Sequence, residues 1–68
     1  MVNKQKLKAA IIANDGNQQK LADSMGISIG QLSLRINGHM DFFIKEVSFI
    51  RDRYNLTDAE VMAIFFDD

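Results

Sequence analysis

The segment from Gln18 to Gly38, QQKLADSMGISIGQLSLRING, constrains this chain more than any other. A glycine at its centre separates two short runs with helical spacing. In the first run, about Gln18 to Met25, Leu21, Ala22 and Met25 share one side. Gly26 stops it, in a left-handed conformation that a Cβ disfavours by roughly 1 kcal/mol or more. Ile27 follows as an apolar plug, and Ser28 is placed to cap a second run, about Ile29 to Asn37, anchored by Leu32 and Ile36. Gly38 suits the position just past that run. A small Ala22 at the closest approach, with Ile27 and Leu32 filling the wedge, predicts two helices locked at a steep angle and the second pushed outward.

Three further helices are expected. Leu7, Ala10 and Ile11 form an apolar stripe flanked by Lys6 and Lys8, and the breaker cluster Asn14-Asp15-Gly16-Asn17 ends it, leaving Asn17 to cap the next helix. His39 to Phe43 reads as a loop. A helix over about Ile44 to Tyr54 places Ile44, Val47, Ile50 and Tyr54 on one side. Thr57-Asp58-Ala59-Glu60 has capping-box spacing and opens a last helix with Val61, Ile64 and Phe65 as its apolar face. The expected fold is all-α: five short helices in a single domain spanning residues 1–68.

Sixty-eight residues lie near the lower limit for a self-supporting core, and 47% apolar content suffices for one. With no cysteine, disulfides and thiolate metal sites are excluded. No apolar run approaches the roughly 18 residues of a membrane span, and no signal-peptide pattern is present. A soluble, cytoplasmic protein is expected. The formal charge of −1 is unevenly distributed. Residues 1–40 carry Lys4, Lys6, Lys8, Lys20 and Arg35 against Asp15 and Asp23. Residues 41–68 carry Lys45, Arg51 and Arg53 against seven carboxylates. This polarity either turns the basic half toward a polyanion or is an unevenly charged solvated surface.

Gln18, Leu21, Ala22, Gly26, Ile27, Leu32 and Asn37-Gly38 together resemble the lambda-repressor-like helix-turn-helix family, which includes the Cro-type phage regulators. The tail, from Phe42 through Leu56-Thr57-Asp58 to Ile64-Phe65-Phe66, is similar to small phage regulators of this family. The resemblance implies a lambda-repressor-like DNA-binding domain whose helix-turn-helix inserts its second helix into the major groove of an operator. It implies phosphate contact at Gln18 and the neighbouring Gln19, where a helix N-terminus favours anions. It places base reading at Ser28, Ile29, Gly30 and Leu34, with Gln31, Ser33, Arg35, Asn37 and His39 nearby.

Ile29 and Leu34 stand where the family commonly has glutamine or another hydrogen-bonding residue, and Gly30 offers no side chain. The expected readout is apolar contact with thymine methyls, with Gln31 and Arg35 supplying hydrogen bonds. Arg35 is placed either to pair with guanine or to grip phosphate. The alternative for Ile29 and Leu34 is packing against neighbouring helices or a protein partner, and for Gly30 a close helix approach. Lys4, Lys6 and Lys8 are either a solvated face or part of the DNA contact.

Five phenylalanines exceed what one small core hides easily, so a homodimer through the last helix, at Phe65 and Phe66, is expected. It would pair two recognition helices about 34 Å apart on a palindromic site. The lone histidine without cysteine partners is a loop residue rather than a metal ligand. No nucleophile–base pair, metal cluster or phosphate-cradling loop is present, so no enzyme, cofactor or small-molecule substrate is expected. The leading expectation is a phage- or prophage-type transcriptional repressor. The competing one is a protein-interaction module, such as an antitoxin or anti-repressor, that reuses the fold. Glutamate at Arg35 is expected to separate the two.

Overall fold

The computed structural model describes residues 1–67, so Asp68, which closes the expected unit, lies outside the described residues. Five helices follow in order: α1 (Lys4–Asp15), α2 (Gln18–Met25), α3 (Ile29–Ile36), α4 (Ile44–Tyr54) and α5 (Asp58–Phe65). No strand occurs among the described residues, and the fold class is all-α. The bounds of α2 and α4 coincide with those expected from spacing. Helix α3 stops one residue early, because Asn37 leaves helical geometry and caps it.

The helix ends follow from short polar side chains at the right positions. Asn3 accepts the Lys6 N–H at 3.0 Å and Asn17 the Lys20 N–H at 2.9 Å. Ser28 and Gln31 form a reciprocal capping box at 3.1 Å each way, as do Thr57 and Glu60 at 3.1 and 2.9 Å. Each such cap contributes about 1 kcal/mol. Gly26 is left-handed at φ +72°, which lets the Ile27 N–H reach back to the Ala22 carbonyl at 3.1 Å and turns the chain sharply into Ser28. Helix α4 starts differently. Phe43 has no side-chain acceptor to offer, and its own N–H is taken by the Glu46 carboxylate at 2.9 Å.

The core draws on every helix: Leu7 and Ile11, Leu21 and Ala22, Leu32 and Ile36, Val47, Ile50 and Tyr54, and Ile64 and Phe65. Ala22 is fully buried where α2 meets α3, while Ile27 and Met25 are only partly buried. Ile44 was expected on the inner side of α4 but is 75% exposed. It is the first residue of the helix, one turn before Val47, where the rod overhangs the core. The two chain ends are joined: the Asn3 N–H donates to the Ile64 carbonyl at 2.6 Å, and the Asn3 amide donates to Asp67 at 3.0 Å. Helix α1 thereby lies between α5 and the α2–α3 pair, touching all three.

Candidate functional site

Helix α3 has a filled side and an open side. Leu32 and Ile36 are buried in the core. At about 100° per residue, Gly30, Leu34 and Asn37 fall opposite them, with Ser33 and Gln31 on either flank. Leu34 is 43% exposed; Ile29, the first residue of the helix, lies on the Leu32 and Ile36 side but is 45% exposed where the helix begins. Gln31 and Asn37 are exposed and Ser33 half-buried. The structure therefore gathers Gly30, Gln31, Ser33, Leu34 and Asn37 onto the open side of α3, with Ile29 exposed at its start on the opposite side.

Several of these groups have internal partners. Ser28 Oγ and Gln31 Oε1 are engaged in the capping box. The Asn37 amide donates to the Ser33 carbonyl at 2.8 Å and to Ser33 Oγ at 3.2 Å, while its oxygen accepts from Lys4 Nζ at 3.2 Å. That last bond brings the first lysine of α1 to the end of α3. His39 is exposed beyond it, its N–H bonded to the Leu34 carbonyl at 2.9 Å. On α2, Gln18 is half-buried at the first position, and Gln19 is exposed with its amide on Asp23 at 2.8 Å.

Gly30 is not demanded by the fold. Its φ is not positive, and a Cβ built there meets nothing nearer than Ser28 Oγ at 3.8 Å. The expectation that it permits a close helix approach is therefore not met within this chain. A glycine at a helical position costs up to about 1 kcal/mol relative to alanine, and no internal contact offsets it here.

Arg35 departs from its expected role. It is only 5% exposed. Its Nε and Nη2 donate to the two oxygens of Glu46 at 3.1 and 3.2 Å, and Nη1 donates to the Gln31 carbonyl at 3.1 Å. The ring of Phe43 lies 5.8 Å from the guanidinium carbon. These bonds engage three of the five guanidinium donors, and burial turns the group away from the open side of the helix, so it is not presented to guanine or phosphate. The reason is position: Arg35 adjoins Leu32 and Ile36 on the inward side of the helix. Glutamate at Arg35 accordingly does not separate a DNA-binding protein from a protein-binding one, since it would set two carboxylates against each other in the interior. Glu46, absent from the sequence reading, is the group that holds α3 on α4. A glutamate three residues after a helix cap is the only local sign of it, and Phe43 in place of serine or threonine obscured that sign.

Phe65 is corrected likewise. It is 4% exposed and packs edge-on to Phe42, ring centres 5.3 Å apart, so it belongs to the core rather than to a surface contact. Phe66, the next residue, is turned out and 46% exposed. It borders a groove of about 270 Å³ lined also by Met1, Val2, Phe42 and Ile44.

A second polar cluster ties α1 to α4. Arg53 donates to Asp15 through Nη2 at 2.6 Å and Nε at 3.1 Å, and the Tyr54 hydroxyl donates to the same carboxylate. The Arg53 hydrogen bonds hold the Asp15 carboxyl below its ordinary range, and the same bonds raise Arg53. Burial, and then the bond to Asp15, push the Tyr54 hydroxyl upward. With Arg35 and Asp15 both neutralised by the C-terminal helices, Lys4, Lys6, Lys8 and Lys20 are left without ion pairs against Asp23 among the described residues of the first three helices.

Among the described residues no group of side chains is arranged to hold a metal ion, and no helix is long and apolar enough to cross a membrane. Comparison with models of known protein families, with curated proteins and with solved structures finds no match.

Proposed function

We propose that this protein is a sequence-specific DNA-binding regulator that lays α3 in the major groove of an operator, as the resemblance to Cro-type helix-turn-helix repressors implies. The observation that carries the reading is the two-sidedness of α3: its inner side is filled, while Gly30, Leu34 and Asn37 face outward from a rigid support. With its side chains an α-helix is about 10–12 Å across, comparable to the width of the groove. Four lysines on α1 and α2, without an ion pair among the described residues, favour a polyanion. Such a regulator acts in the cytoplasm without a cofactor, by occupying its site and excluding polymerase.

Dimerisation through the C-terminal end belongs to this proposal. Met1, Ile44 and Phe66 are 85, 75 and 46% exposed and border one groove, an apolar surface that a second copy would cover. Phe66→Ser is expected to shift sedimentation toward monomer while leaving the helical spectrum unchanged.

The decisive experiment is binding to a randomised duplex library at two salt concentrations. Selective binding that weakens steeply with salt supports the proposal, and no selection at low salt ends it. One observation favours a protein-interaction module instead: Leu34 exposes apolar atoms on the very face assigned to DNA. Leu34→Glu with intact DNA binding and a lost protein partner would establish that second reading.

A further inference from the structure

We infer that α3 reads duplex DNA through the C5-methyl groups of thymine, without any cation directed at guanine. This rests on the DNA-binding proposal above. Arg35 is the sole charged residue in α3, and its buried guanidinium is held by Glu46 through Nε and Nη2 and by the Gln31 carbonyl through Nη1. The open side offers Leu34, 43% exposed, and beside it Gln31, Ser33 and Asn37, each with at least one polar atom already held within the chain. A thymine methyl is the one apolar feature that standard bases present in the major groove.

Gly30 completes the argument. It lies four residues before Leu34, on the same line along the helix. Its missing side chain leaves open space and answers no need of the fold. With no Cβ there, the backbone of the first turn descends onto a base edge, and Leu34 one turn later rests against a methyl. Lys4, bonded to Asn37 at the far end of the helix, sets a positive charge beside the groove wall. The target is thus a duplex with thymines at fixed positions in each half-site, distinguished by methyl groups more than by hydrogen-bond pairs.

Selecting duplexes from a randomised library and remaking the tightest one with deoxyuridine at each thymine in turn tests this. The exchange deletes the methyl and keeps every hydrogen-bonding edge. Affinity is expected to fall about three- to five-fold at one or two thymines per half-site, the effect of one buried methyl group. Leu34→Ala protein is expected to lose its response at one of them. Gly30→Ala is expected to fold at least as stably and yet bind the selected duplex more weakly. If a selected duplex is bound equally well after every exchange, or if Leu34→Ala responds as fully as the parent, methyl reading is overturned and DNA binding stands. If no duplex is selected, both are overturned.

Discussion

Helix α4 is held by an arginine–carboxylate pair at each end, and the two pairs differ in kind. At its start Glu46 grips Arg35 of α3, with the two side chains 12% and 6% exposed. At its end Arg53 grips Asp15 of α1, with the arginine 34% exposed and the carboxylate 7%. The first pair is sheltered on both sides and the second on one. The sheltered pair fastens the helix whose outer face is assigned to DNA, and the more open pair fastens the supporting helix. An arginine withdrawn from the outer side of α3 thus ties α3 to α4.

Removing one member of the sheltered pair produces the largest effect. Glu46→Ala leaves a guanidinium buried without its acceptor and also strips the Phe43 N–H of its cap. The expected loss is about 3–5 kcal/mol, against a total of roughly 3–10 kcal/mol for a domain of this length. Urea titration followed by circular dichroism is expected to show a largely unfolded variant at 25 °C. Replacing both partners, Arg35→Met with Glu46→Leu, is expected to recover most of the stability, because two charges no longer need to be dehydrated. A Glu46→Ala protein within about 1 kcal/mol of the parent would falsify the contrast between the two ends of α4.

Much of this architecture was legible in local sequence, and the part that was not has a common cause. Asn17, Gly26, Ser28 and the Thr57–Glu60 pair act within one helical turn, so spacing alone located the starts of α2, α3 and α5 and the end of α2. The core positions Leu21, Leu32, Ile36, Val47 and Ile50 followed from helical periodicity. Arg35 and Glu46 are eleven residues apart and Asp15 and Arg53 thirty-eight, distances at which no periodic rule pairs side chains. An arginine on an otherwise outward-looking helix therefore read as a DNA contact. Phe65 posed a related difficulty: periodicity set it on the apolar face with Val61 and Ile64, but only its burial and the edge-on contact with Phe42 show that this face is turned to the core rather than to a second copy.

The open pair at the far end of α4 sharpens the contrast through its pH dependence. Asp15 has a lower pKa in the folded protein than the ordinary value of about 3.9. The folded state therefore binds fewer protons, and the stabilisation from Asp15 is complete above about pH 4. It declines as the pH drops through the lowered folded value. Urea midpoints measured from about pH 6 down to pH 2 are expected to fall more steeply for the parent than for Asp15→Asn; parallel curves would remove Asp15 from the account. Tyr54→Phe, which deletes one donor to that carboxylate, is expected to cost about 1 kcal/mol at neutral pH. That is well short of the Glu46 effect.

The smallest expected effect concerns the direct link between α1 and α3 that bypasses α4. Lys4 reaches Asn37 at 3.2 Å across an exposed surface, where a bond to a long flexible side chain contributes little. If the two clamps on α4 set the angle of α3, Lys4→Ala changes stability by no more than about 0.5 kcal/mol. Its consequence is then electrostatic. A lysine that neutralises one phosphate contributes nearly one unit to the slope of log affinity against log salt. The variant is therefore expected to bind the selected duplex with a slope shallower by about 1 and an unchanged sequence preference. A slope equal to the parent's would make Lys4 a structural tether alone. A melting point lowered as far as that of Tyr54→Phe would mean that α1 steers α3 directly, and that α4 is not the common anchor.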